Sequence, residues 1–205
     1  RIALLRVPHT RPEAGSRPTF LADLGEGLRE VLSHTWLWLL IGQALLYHLF
    51  YGGAQGVLGP IVVEDSIGRT AWGFALAALM SGFLVPDAGR VVFDGGLWIG
   101  TAFLSLTACF PVAMALSDQL WVVLLGAFLH GFGLEIFSVN WDLSIQQNVD
   151  EDKLARVYSF DLVGSFVARP LGLAFTGPVA QAVGFDRWLL VVGVVTAAGF
   201  GIIAF

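Results

Sequence analysis

The stretch LVGSFVARPLGLAFTGPVAQAV, Leu162–Val183, decides how this chain folds. As a helix it is long enough to cross the hydrocarbon of a bilayer, which takes roughly 20 predominantly apolar residues. Its one charge, Arg169, falls near the middle. A guanidinium at that depth costs roughly 2.5–3.5 kcal/mol on insertion scales, so it must face a partner or a wet cavity.

The same reading extends outward to Trp36–Gly59, Leu97–Leu116, Leu120–Val139 and Trp188–Phe205. A sixth candidate, Ala71–Val85, is shorter and stops at Pro86. The expected fold is all-α, a polytopic membrane bundle of about six transmembrane helices over 34–205, preceded by a linker over 1–33. Composition agrees. Of 205 residues, 56% are hydrophobic and 13% charged, and the mean hydropathy is +0.75, outside the range of soluble domains. A formal charge of −5 and a pI near 5.2 exclude a nucleic-acid partner, since no basic cluster is present. The single Cys109 offers neither a disulfide framework nor a thiolate metal site. No signal peptide is read ahead of the first span, and the chain is expected to be part of a longer one.

Arg1, Arg6, Arg11, Arg17 and Arg29 precede the first span, and six crossings place Arg90, Lys153 and Arg156 on that same side. Only Arg69 and Arg187 fall opposite. The positive-inside rule then puts both termini in the cytoplasm. Within the linker, Phe20, Leu21, Leu24, Leu28, Val31 and Leu32 recur at near-helical spacing, the pattern of an amphipathic helix at the inner membrane face. Gly73, Ala77 and Ser81, and beside them Ala78 and Gly82, form small-residue stripes that permit close helix approach; Gly164, Gly172, Gly177, Gly193 and Gly199 extend the pattern.

Polar groups inside the spans are the candidates for function. Gln43, Tyr47, Tyr51 and Gln55 recur every four residues with His48 beside them, a slowly drifting stripe. It reads either as the wall of a substrate path or as interhelical hydrogen bonding. The span from Leu120 carries His130 and Glu135, and Arg169 falls at similar depth on the next one, which makes a Glu135–Arg169 pair the expected partnership. Such a pair is either a proton-coupling device, its carboxylate alternately paired and solvated, or a permanent lock between helices. Asp142, Arg156 and Asp161 gather at the inner mouth, as a charged cytoplasmic gate or as interfacial anchoring and capping. The histidines, His9, His34, His48 and His130, have no metal-ligand spacing. No nucleophile motif, phosphate loop or dinucleotide fingerprint is present, so neither an enzyme nor a cofactor is expected.

A family resemblance enters through one region. Asn140-Trp141-Asp142, Ile145-Gln146-Gln147-Asn148-Val149, Arg156-Val157-Tyr158-Ser159-Phe160-Asp161 and Arg169-Pro170-Leu171-Gly172, with Gly177-Pro178 and Gly184, resemble the C-terminal half of major facilitator superfamily exporters. The branch most similar holds macrolide-efflux and enterobactin exporters. The resemblance implies half of a twelve-helix fold, whose halves rock against each other about a midplane substrate site. It further implies proton-coupled efflux of hydrophobic small molecules such as drugs or siderophores, from a bacterial plasma membrane. Membrane lipid and the missing N-terminal six-helix half are the expected partners, and the chain alone is incomplete. The alternative is a non-transporting membrane scaffold or assembly subunit, or a degenerate transporter fragment.

Overall fold

The computed structural model describes residues 20–85 and 96–198. The expected basic linker over 1–19, the loop containing Arg90 and the end of the sixth span lie outside the described residues. Among those described, all regular structure is helical: α1 (Phe20–Ser33), α2 (Thr35–Ser66), α3 (Arg69–Gly82), α4 (Leu97–Leu116), α5 (Leu120–Asn148), α6 (Leu154–Val183) and α7 (Phe185–Ala198).

Four of these, α2, α4, α5 and α6, are long and apolar enough to cross a membrane. Helices α3 and α7 have 14 described residues each, about 21 Å at 1.5 Å per residue and short of a full hydrocarbon crossing. A helical membrane bundle therefore stands, with four candidate crossings among the described helices. The long helices also outrun the apolar windows read from sequence. Helix α2 continues to Ser66, α5 to Asn148, and α6 starts at Leu154, because polar residues such as Gln146 and Gln147 sustain a helix once it has nucleated.

Prolines shape two of the long helices. Pro60 removes the amide that would bond back to Gly56, and the preceding turn, Ala54–Leu58, widens to a π-helix. In α4 the turn before Pro111 tightens instead, to a 3₁₀ turn over Ser105–Ala108. There Thr107 Oγ1 donates to the Leu104 carbonyl at 2.6 Å. Helices end at glycines where the backbone turns: Gly68 has φ +119° between α2 and α3, and Gly184 has φ +101° between α6 and α7, a conformation L side chains rarely adopt.

Packing relies on backbone proximity. Helix α6 buries a four-residue stripe, Ala168, Gly172, Thr176 and Ala180, against α2. A Cβ on Gly172 would run into the Leu49 carbonyl oxygen, and one on Gly53 into the Gly172 carbonyl. Helices α3 and α5 meet similarly, where a Cβ on Gly131 would strike the Leu79 carbonyl and one on Gly82 would lie 2.5 Å from Phe132 N. Of the two stripes expected on α3, only the one ending in Gly82 makes the crossing. Gly73, Ala77 and Ser81 are exposed, and Gly73 has open space around it. Small residues at such crossings let helices associate in lipid, where no hydrophobic drive separates protein from solvent.

Two apolar clusters divide the bundle along its length. One gathers Leu58, Phe110, Val123 and Leu189, and the other, near α1, gathers Val31, Leu37, Trp141, Ile145 and Val157. Helix α1 is anchored to the second cluster by Val31 and to the start of α6 by two ion pairs. Arg156 Nη1 meets Glu26 Oε2 at 2.9 Å and Lys153 Nζ meets Glu30 Oε2 at 3.1 Å. Gly27 lets it approach: a Cβ there would be 2.7 Å from Phe160 Cε2. Leu28 and Leu32 face outward, 46% and 58% exposed, which leaves an apolar strip on the far side of the helix.

This latch is electrostatic and should hold across neutral pH. The hydrogen bond from Lys153, and then its charge, hold the Asp150 carboxyl below the usual carboxylate range. Hydrogen bonds to Asp150 and Glu30 raise the Lys153 pKa. For the latch itself it is the raised amine that matters: the stability it contributes is lost only as pH rises through its folded value. Glu30→Lys should therefore speed amide hydrogen exchange in α1 several-fold at pH 7, and Lys153→Glu in the same chain should restore protection. Equal exchange rates in all three proteins would show that the ion pair holds nothing in place.

Candidate functional site

The polar stripe read on the first span lines two abutting cavities. One, of about 200 Å³, is bordered by Tyr47, His48, Tyr51 and Gln55 of α2, with Met80 of α3, His130 of α5 and Arg169 of α6. The other, of about 220 Å³, continues along the same helices past Gln43, Tyr47 and His48 to Trp141, Asp161 and Ser165. Tyr47 and His48 border both. Residues four apart along α2 thus present one polar wall, as the spacing requires.

That wall is ordered by aromatic stacking. The Tyr47 and Tyr51 rings stack with centroids 5.1 Å apart, and Tyr51 stacks on His130 at 4.2 Å. Tyr47 Oη and His130 Nε2 are hydrogen-bonded at 2.8 Å, so the stripe makes one interhelical bond as well as a cavity wall. His130 is fully buried. Gln43 Nε2 and Tyr51 Oη, also buried, have no hydrogen-bond partner among the described residues. Groups in that condition cost free energy unless something polar meets them.

Arg169 reaches this cavity because Gly52 makes room. A Cβ on Gly52 would lie 3.0 Å from Arg169 Cγ, so the alkyl stem lies on α2 and the guanidinium joins the wall with Tyr51 and Gln55. The expected pair with Glu135 does not form: among the described residues no ion pair joins them. Geometry explains it. Glu135 follows His130 by five residues, about 140° around the helix, so it leaves the cavity face on which His130 and Leu134 lie. Depth along a helix matched the two residues, but azimuth separates them.

The expected gate residues are also distributed differently. Asp161 accepts a hydrogen bond from Trp141 Nε1 at 3.3 Å and lines the second cavity. Arg156 holds Glu26 of α1, and Asp142 is exposed beside Tyr158. No ion pair among the described residues joins Arg156 to Asp142 or Asp161. Three contributors were not read from the sequence: Gly52 as the seat of Arg169, Trp141 as the donor to Asp161, and the α1 acids as partners of Lys153 and Arg156. The adjacent Gly52-Gly53 pair, in register with the tyrosines, is the one signal that pointed to the first. Among the described residues no group of acids, histidines or cysteine could hold a metal ion.

The described residues thus form a helical membrane bundle with a polar cavity between its long helices. The chain is distantly homologous to efflux proteins, as the motif region implied. It is 21% identical over 207 aligned residues to macrolide efflux protein A of Streptococcus pyogenes, covering 94% of this chain and 49% of that protein. The same identity and coverage hold for macrolide efflux protein A of S. pyogenes serotype M6. The chain thus spans about half the length of the curated relatives it matches, as one half of a major facilitator exporter would. No protein-family model matches, and no solved structure matches.

Proposed function

We propose that this chain is the C-terminal six-helix half of a proton-coupled exporter of hydrophobic small molecules, drugs or siderophores among them, in a bacterial plasma membrane. The observation that carries the reading is the polar stripe of α2 bordering two abutting cavities between α2, α5 and α6. A scaffold would need the glycine crossings but would leave a stacked, partly unsatisfied cavity wall without a use. Six crossings then set the two termini, and α1 with them, on the cytoplasmic side. Helix α1 would lie at that surface with Leu28 and Leu32 toward lipid.

The missing N-terminal half has a natural seat. Leu162, Val163, Phe166 and Val167 of α6 are 56%, 60%, 75% and 56% exposed, and they flank Arg169 on the side away from α2. Covering that face would close the open side of the cavity and complete a midplane site between two halves.

Two carboxylates within candidate spans support proton coupling: Glu135, half-buried on α5, and Asp161, in the second cavity wall. Neither belongs to an ion pair among the described residues, so no cation there holds either one in a fixed pair. In inverted vesicles carrying the complete protein, an imposed proton gradient should drive uptake of a hydrophobic fluorescent compound, and a protonophore should abolish it. Glu135→Gln and Asp161→Asn should flatten the pH dependence of that uptake. Uptake indifferent to the protonophore would refute proton coupling, and an unchanged pH profile in either variant would make that carboxylate a structural group.

A further inference from the structure

Resting on the exporter reading, we infer that the site around Arg169 selects an amphiphile bearing an anionic group, with its apolar body lying along α6. Among the described residues, Arg169 is the only charged one lining the 200 Å³ cavity, and no acid comes within ion-pair distance of it. The buried, unpartnered Tyr51 hydroxyl belongs to the same wall. A guanidinium fork and a phenolic donor together match a carboxylate, sulfonate or phosphate, which accepts several hydrogen bonds at once. Arg169 is exposed along α6; once the missing half covers that face, the attraction would be far less screened than at a surface.

The body of the ligand has a place as well. Arg169 and His48 also border a groove of about 480 Å³ floored by Leu162, Phe166, Pro170 and Leu173. Its lining is apolar apart from those two residues and Ser165. A hydrophobic tail seated there would put an anionic head at the guanidinium. A cationic head would meet that guanidinium with no compensating acid; the nearest carboxylate along α6, Asp161, is eight residues away, about 12 Å along the axis, and is engaged by Trp141. Half of the cavity that this chain supplies is therefore set against cations and for anions.

A matched pair of probes tests this. Pyrenebutyrate and pyrenebutylamine share one aromatic body and differ in the sign of the head. In phosphatidylcholine nanodiscs carrying the complete protein, pyrenebutyrate should bind at least about tenfold tighter, the equivalent of one good charged interaction. Arg169→Gln should remove that preference by weakening the butyrate and tightening the amine, Arg169→Lys should keep part of it, and Tyr51→Phe should weaken only the butyrate. Adding phosphatidylglycerol to the nanodisc should not displace pyrenebutyrate; displacement that depends on Arg169 would make this a lipid-anion site and overturn the substrate assignment. Equal binding, tighter binding of the amine, or a preference that survives Arg169→Gln would overturn the anion assignment and leave the exporter reading standing. Binding of neither probe, with no export of either, would overturn both.

Discussion

Arg169→Gln is expected to lower export by the complete protein at least tenfold, about 1.4 kcal/mol in the barrier, while the amount inserted in the membrane stays level or rises. The two halves of that expectation have opposite physical origins. Removing a charge from the middle of a thirty-residue membrane helix relieves the roughly 2.5–3.5 kcal/mol insertion cost, and no ion pair among the described residues is broken by doing so. The cavity, however, loses the one cation that the described residues give it. Arg169→Lys should fall between, since an ammonium keeps the charge but not the planar fork. Initial export rates, normalised to membrane protein by immunoblot, separate the effects. Wild-type rates in Arg169→Gln would remove this residue from the transport pathway, and poor insertion would show that its role is in assembly.

The second large effect falls on the helix crossing that holds Arg169 in place. At Gly172 a side chain would collide with the Leu49 carbonyl, and a backbone oxygen cannot swing aside as a flexible side chain can. Gly172→Leu should therefore force α2 and α6 apart at a cost above about 3 kcal/mol, beyond ordinary overpacking, and little folded protein should survive detergent extraction. Gly164, on the same helix, has open space around it, so Gly164→Ala should raise the melting temperature slightly, as removing a mid-helix glycine is worth about 0.5–1 kcal/mol. Size-exclusion profiles and thermal melts of the two variants check both signs. Similar stability in both would mean that α2 and α6 do not approach backbone to backbone.

How much of this was legible in the sequence differs residue by residue. The stripe from Gln43 to Gln55 was readable because polar groups at four-residue spacing stand out in an apolar helix, and they do share one wall. Arg169 was readable from its depth. Its partner was not, because depth in two spans says nothing of which way each side chain points, and Glu135 lies about 140° from His130 around its helix. The two stripes on α3 looked alike for the same reason: Gly73 and Gly82 both repeat small residues, yet only Gly82 meets another helix. The partners of Lys153 and Arg156 were hidden by sequence distance, Glu26 being 130 residues from Arg156. Span limits were drawn where polar residues begin, whereas helices α2, α5 and α6 run on into polar sequence.

Site-directed thiol labelling tests the central claim, that a polar cavity walled by α2 and Arg169 lies open to water within the membrane. In a background with Cys109, the one cysteine of this chain, and any cysteine of the other half replaced by Ala, Gln55→Cys places a thiol in the cavity wall, while Val194→Cys places one on the outer surface of α7, 68% exposed and expected to face lipid. Exposed to a small charged methanethiosulfonate reagent in intact membranes, the thiol at 55 should react within minutes and be protected by an exported compound, and the thiol at 194 should stay inert. Equal reactivity at the two positions, or an unreactive thiol at 55, would contradict the account.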